Sequence, residues 1–591
     1  MRRPHIRRLA VAVTVTTAAT LPAVPALADA RAVAAATAFS PVDAARAAAF
    51  THASATGVTR GDTLLAKDVM TDPDGKQHVR FVRTHQGLPV LGGDLVVHLD
   101  KRGGYLGVTR AVDHAVVPAT TRAELTASQA EQKAAAAAQG DAGTAELVVD
   151  ARDGGTALAY RVHVTDSRTV EAGGARTVVV DALTGRIRSD TPDSDEFISP
   201  SLAQTLRRRG ESATPQTDGP AALPGLAATG SAAARYPSTA NGTGASLFVG
   251  TVPLTTTRTA RTGYLLKDPT RWGTETRDAE GRALETFSRG TAFTSTTNKW
   301  GNGTTSNRAT AAVDAQYGIT KTLDFYKKTF GRKGIGNNSA GARAMVHFGN
   351  KVGNAFWDST CGCMLYGDGD GDLFKKPLVV LDVTGHELTH GVVDATAGLE
   401  PTRVGEDGTQ YGEPGALNES LADIFGSGVE FAADNPKNPP NYLMGEKLGL
   451  RQKFLRRLDH PSLDKLEGTV DYWSVAAYDT EVHAGSGVSS HAFYLLAEGS
   501  GRKTIGGVAY DSPTYDGSRV TGVGRGKALA IFYRALTRYM VSTTDFHDAR
   551  TATLKAAADM YGTTSTEYRA VDKAWAAVNV TAANAPSPAG R

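Results

Sequence analysis

Between Val380 and His390 the chain reads Val-Leu-Asp-Val-Thr-Gly-His-Glu-Leu-Thr-His, a stretch holding the residue types that can activate water. On an α-helix, which turns about 100° per residue, His386 and His390 stand one above the other, so both imidazoles can reach one ion. Glu387 falls on the adjacent side of that face. There it can take a proton from a water near the ion, and it is wrongly placed to be a third ligand beside its neighbours. Pro377-Leu378-Val379-Val380-Leu381 before the motif and Gly391-Val392-Val393 after it make the helix apolar nearly all round, so burial is expected. Two histidines and a glutamate on a buried helix need polar partners, and one metal ion supplies them.

A catalytic zinc takes three protein ligands and keeps a fourth position for water. The third ligand is read in Gly415-Ala416-Leu417-Asn418-Glu419-Ser420-Leu421-Ala422-Asp423. Glu419 and Asp423 are four residues apart and share one face of a second helix whose other positions are apolar. Carboxylates there are costly unless compensated. Glu419 on the metal and Asp423 accepting the N–H of a liganding histidine would satisfy both charges and set the imidazole tautomer.

These two motifs together resemble the thermolysin family of secreted zinc endopeptidases. Asn354-Ala355-Phe356-Trp357 resembles that family's substrate-binding edge strand, and Tyr366-Gly367-Asp368-Gly369-Asp370-Gly371 the loop after it. Val482-His483-Ala484-Gly485-Ser486-Gly487 matches its V-H-x-x-S-G histidine, and the resemblance spans about residue 240 to the C terminus. It implies an α+β fold whose two-lobed catalytic domain has a strand-rich mixed N-terminal lobe, 236–395, and a mainly helical C-terminal lobe, 396–591. The cleft is expected between them, floored by the motif helix.

By the same resemblance one catalytic Zn2+ is expected on His386, His390 and Glu419, with Glu387 as general base. His483 is expected to donate to the oxyanion, oriented by Asp479, which lies one residue closer to it than the family spacing. Tyr411 is expected to assist in the transition state. It is one residue out of register, with Gln410 in the family's slot, because the segment Glu400 to Gln410, containing Glu406 and Asp407, is longer than the family norm. Asn354 and Ala355 are expected to bind the peptide backbone, Asn418 to support His390, and Arg456 to bind a substrate carbonyl, with Arg457 competing. Val383, Met444 and Leu455 map near the pocket for the residue after the cut, implying a large apolar residue there. Asp382, Glu430, Asn441 and Glu446 imply one structural Ca2+. Asp368, Asp370 and Asp372 lack a closing Glu at calcium-loop spacing and read as a turn.

The elements that must deliver this site begin with residues 1–30. Arg2, Arg3, Arg7 and Arg8 precede a small apolar run ending in Ala26-Leu27-Ala28, the pattern of a secretory signal. Residues 31–235 resemble the propeptide of such precursors, α+β in two modules, about 50–115 and 120–190. Gln77 to Arg83 alternates, Gly87 to Asp94 reads as a turn feeding a strand over Leu95 to Leu99, and an Ala-rich helix is expected from Leu125 to Gln139. Strands follow around Leu158 to Val164 and Thr177 to Ile187. A Ser/Thr/Pro/Gly-rich exit, Ser201 to Asn241, reads as an exposed linker where maturation is expected. Helices are expected over Leu417 to Phe431, Ser490 to Ala497, Arg525 to Tyr539, Phe546 to Tyr561 and Ser565 to Val578.

Across 591 residues the net charge is +3 with acids and bases interspersed, which gives no reason to expect nucleic acid or a membrane as partner. The expected partners are protein and peptide substrates and the chain's own propeptide, acting as folding aid and inhibitor, with the mature enzyme a secreted, extracellular monomer. The two cysteines, Cys361 and Cys363, are read as a local disulfide rather than a metal site. The alternatives are an exopeptidase with the same zinc ligands and a secreted binding protein without catalysis.

Overall fold

In Gln77–His85, residues of alternate parity face opposite ways, and both faces are covered. Val79 and Phe81, with Leu95, Val97 and Leu99 of the next strand, bury one face against Ala45 and Ala49 of the helix Pro41–Thr51. The other face carries His78, Arg80 and His98, all buried because the C-terminal part of the chain packs over them. Arg80 donates to the Met540 carbonyl at 2.8 Å, and the His98 ring lies 5.1 Å from that of Tyr539. The computed structural model describes residues 40–152, 154–165, 174–204, 236–284, 286–405 and 408–584. The expected signal lies outside them, as do most of the linker (205–235), Glu406 and Asp407.

In the second module the helix Ala127–Ala138 starts from a capping box between Thr126 and Gln129. It sets Ala130 and Ala134 on Val162, Val164, Val178 and Val180 of the strands Ala157–Thr165 and Ala175–Asp181. Leu88–Leu91, inside the stretch read as a turn, is itself a strand. It pairs parallel with Glu146–Asp150 and so joins both modules into one ten-stranded sheet.

The chain then crosses into the region that carries the motif helix. Ser194–Glu196 pairs antiparallel with Ala355–Asp358, the edge strand expected to bind substrate, and becomes the outermost strand of a seven-stranded sheet. Behind that sheet runs the helix Arg308–Phe330, which no sequence pattern announced: Ala, Thr, Gln and Tyr blur its periodicity, and Thr310 to Ile319 is buried on every side. It braces the motif helix. A Cβ on Gly318 would stand 2.8 Å from Cβ of Thr384, and Tyr326 shares a 2.7 Å hydrogen bond with Thr389.

Beyond the motif helix the chain is mainly helical, with Glu413–Ala433, Gly487–Ala497, Arg525–Arg538, Phe546–Tyr561 and Thr566–Ala576 close to the bounds read from sequence. From Pro41 onward the described residues form one compact unit.

Candidate active site

The motif helix, Leu381–Asp394, is buried continuously from Leu381 to Val393. The carboxylate helix, Glu413–Ala433, crosses it where two glycines meet: a Cβ on Gly385 would lie 3.0 Å from the Gly426 Cα, and one on Gly426 2.8 Å from the Asp382 carbonyl. This approach brings His386, His390 and Glu419 into one cluster. The two Nε2 atoms are 3.0 Å apart, and they stand 3.4 and 3.6 Å from the nearer Glu419 oxygens. Tetrahedral ligands at zinc distances of about 2.0–2.1 Å stand about 3.3–3.4 Å apart, so the nitrogen and oxygen donors fit a zinc ion. Glu419 Oε2 and both Glu387 oxygens are buried without a hydrogen-bond partner, a donor deficit that an ion and a water would fill.

The supporting hydrogen bonds set the tautomers. His386 Nδ1–H donates to Asp423 at 2.8 Å and His390 Nδ1–H to Asn418 Oδ1 at 3.0 Å, which leaves both Nε2 lone pairs facing the cluster. Asp423 also receives two 2.9 Å bonds from Arg456. Burial alone would push the Asp423 carboxyl up, yet Arg456 and His386 outweigh it and hold it below the usual carboxylate value. Arg456, not Arg457, faces the cleft; Arg457 turns away to Asp459 at 2.6 Å.

His483 lies at the open side of the cluster, its Nε2 3.5 Å from Glu419 Oε2. The expected orienting residue is corrected here. Asp479 is largely exposed and pairs with Arg403 at 3.1 Å, while Glu481 accepts the His483 Nδ1–H at 2.6 Å. Glu481 caps the short helix Val482–Gly485 through Ala484 N–H, so its carboxylate is anchored two residues from the imidazole. An acid at an N-cap two residues before the histidine was the available signal, whereas the family spacing points to Asp479. His483 Nε2–H donates to the Glu196 carbonyl at 2.7 Å. Both ring nitrogens therefore face acceptors, an arrangement that favours the protonated ring. Burial opposes that charge, but Glu419 and Glu481 raise its pKa well above the ordinary value.

Tyr411 does not reach this carbonyl. Its ring lies under the Arg403 guanidinium, 4.0 Å from the carbon, and its backbone bridges to Glu481. Among the described residues no hydrogen bond joins its hydroxyl to Glu196.

Residues 194–199 run through the cleft as a strap that the sequence reading missed. Phe197 N–H donates to the Ala355 carbonyl at 3.1 Å, and Ile198 N–H to Asn354 Oδ1 at 3.2 Å. Arg456 donates to the Phe197 carbonyl at 2.8 Å. Asn354, Ala355 and Arg456 thus hold peptide backbone, and here that backbone belongs to the chain itself. Asn418 Nδ2 donates to Asp195 at 3.1 Å. Phe197 is fully buried, its ring edge-on to His386 with centroids 5.3 Å apart, and it joins the core cluster that contains Val383, Met444 and Leu455.

A second buried group, Asp382, Glu430 and Glu446, has carboxylate oxygens within 4.8 Å of one another. Asp382 Oδ1 and Glu446 Oε2 lack partners, and burial with mutual repulsion pushes Glu446 up to about 8. Such a set fits a hard cation. Asn441 needs correction: it turns its amide nitrogen toward Glu446, at 3.2 Å, while its oxygen accepts Leu443 N–H. Asn438, unnoticed in the sequence, also donates to Glu430 and keeps its own buried oxygen free of partners. Cys361 and Cys363 form the local pair, Cα atoms 5.2 Å apart, at the turn after the edge strand. Asp370 accepts from Asp372 and Phe374 N–H as a turn residue does.

Fold and site define the class as a metallopeptidase with a folded prosegment. The profile of the thermolysin metallopeptidase catalytic domain matches residues 241–394 and that of its alpha-helical domain residues 409–580. The fungalysin/thermolysin propeptide motif matches 62–112, and the peptidase propeptide and YPEB domain 124–191. A transglutaminase-activating metalloprotease of Streptomyces mobaraensis is 40% identical over 534 residues, 89% of this chain and 62% of that protein. The thermostable neutral protease NprT of Geobacillus stearothermophilus is 31% identical over 545 residues, 88% of this chain and 86% of its own. A thermolysin of Alicyclobacillus acidocaldarius is 40% identical over 277 residues, 46% of this chain and 45% of its own. The chain belongs to the thermolysin family of metallopeptidases.

Proposed function

We propose that this chain is a secreted zinc endopeptidase, made as a precursor held silent by residues 31–235 and cutting peptide bonds before large apolar residues. One observation carries the reading: a peptide strand lies in the cleft with a carbonyl on His483 and the next side chain buried beside His386. The strand continues on both sides of that carbonyl, from Ser194 to Ser199, so the cleft holds the interior of a chain and needs no free terminus. That favours an endopeptidase over the exopeptidase alternative.

His386, His390 and Glu419 would hold Zn2+, which when bound polarises the carbonyl and lowers the pKa of water. Glu387 receives the proton of the attacking water on its buried carboxylate and delivers it to the leaving nitrogen. His483 donates through Nε2 to the developing oxyanion, held in line by Glu481. Arg456 and Asn354 hold the carbonyl and the N–H beyond the cut, while Asp423 and Asn418 keep the two imidazoles in place. Asp382, Glu430 and Glu446 would hold one Ca2+ that ties the motif helix to the loop after the carboxylate helix.

The test is a casein assay on mature protein, with and without a zinc chelator, beside Glu387→Gln. Activity lost on chelation, restored by Zn2+ and absent from E387Q is the expected result; activity untouched by the chelator would remove the reading.

A further inference from the structure

The strap sits in the cleft in one register, and that register selects a bond. Ahead of the site, Ser194, Asp195 and Glu196 pair with Asp358, Trp357 and Phe356. Behind it, Phe197 N–H meets the Ala355 carbonyl, Ile198 is held by Asn354 from both sides, and Ser199 N–H donates to Glu467 at 3.1 Å. Between these anchors the Glu196 carbonyl receives the His483 proton, and the next carbonyl, that of Phe197, receives Arg456. The side chain after the bond fills the apolar pocket. Phe197 packs against His386 and under Arg456, and a Cβ placed on Gly445 would already touch its ring tip at 3.4 Å.

We infer that Glu196–Phe197 is the first bond this precursor cuts in its own chain, an inference resting on the peptidase reading above. Water adds its oxygen to the Glu196 carbonyl carbon as the bond to the Phe197 nitrogen breaks. Glu387 passes the two protons of the water in turn to that nitrogen, and the products are a carboxylate at Glu196 and an ammonium at Phe197. The linker where the cut was expected from sequence, Ser201 to Asn241, starts only after the seated residues.

The full-length wild-type precursor, purified in chelator, is given Zn2+ and followed by intact mass and amino-terminal sequencing, with E387Q in parallel. The first new terminus should be Phe197, in the wild type and not in E387Q. Phe197→Asp should slow this cut at least tenfold and Phe197→Leu should retain it. A first terminus elsewhere, with Glu196–Phe197 intact while the product digests casein, overturns the inference and leaves the peptidase reading standing. A wild type that cuts neither itself nor casein overturns both.

Discussion

His483 shows how much of the chemistry is set by single contacts. Its two partners are a carboxylate and a carbonyl, so both ring nitrogens are placed to donate. Replacing Glu481 by Gln removes the ion pair that keeps the ring charged and aligned. The expected outcome on mature enzyme is a fall in kcat/KM of about 10-fold to 100-fold, carried by kcat, less than the loss of an oxyanion donor itself. Asp479→Asn, at an exposed residue paired with Arg403, should leave kcat/KM unchanged. Steady-state kinetics on a blocked peptide with Phe after the cut measures both. The types His386, Glu387, His390, Glu419 and Asp423 were legible in the sequence because helical spacing converts directly into a shared face. Glu481 was not, since two residues of spacing say nothing about which acid reaches a ring nitrogen.

At the scale of elements, the metal cluster depends on how closely two helices cross. Gly426 has no room for a methyl group, with the Asp382 carbonyl at 2.8 Å and the His386 backbone nitrogen at 3.0 Å from its would-be Cβ. Gly426→Ala must push the carboxylate helix away from the motif helix, and overpacking of this kind costs about 1–3 kcal/mol. Since the displaced helix carries Glu419, zinc affinity should fall about 10-fold to 100-fold, read by competition with a chromophoric chelator. The contact between prosegment and catalytic helices has its own keystone. Asp72 is buried and accepts from Arg534 at 2.7 Å, from Arg538 at 3.1 Å and from the His78 ring at 2.9 Å. Asp72→Asn in the E387Q background strips compensation from two guanidinium groups and should destabilise the precursor by about 3–5 kcal/mol. Chemical denaturation of the E387Q precursor with and without Asp72→Asn checks this.

For the molecule as a whole, prosegment and catalytic region share a core-like contact that does not run through the strap. Arg80 reaches the Met540 carbonyl, Asp94 accepts from Ser542, and Arg152 pairs with Glu400, so severing the strap leaves a docked prosegment. That contact should respond to pH through His98. Burial, with His78, Lys555 and Arg80 nearby, lowers its pKa well below the ordinary 6.5, while Asp72 opposes the shift. A docked His98 resists a proton that an exposed one takes near 6.5, so docking is strongest above that pH and weakens as pH falls below it. The slope is at most about 1.4 kcal/mol per pH unit. Denaturation of the E387Q precursor at pH 8 and pH 5 should show the loss, and His98→Asn should flatten it.

The motif spacings, the alternation of the prosegment strands and the amphipathic late helices were all readable because each is a local periodicity that one element must satisfy by itself. The sequence alone thus determined the chemistry on the motif helix, the third carboxylate and the order of modules. Only the tertiary structure decided that Glu481 rather than Asp479 holds His483, that Tyr411 lies under Arg403, and that Asp195-Glu196-Phe197 occupies the cleft. Those pairings join residues up to 287 positions apart, as between Glu196 and His483. No local pattern encodes such a distance, because it is set by how sheets and helices pack.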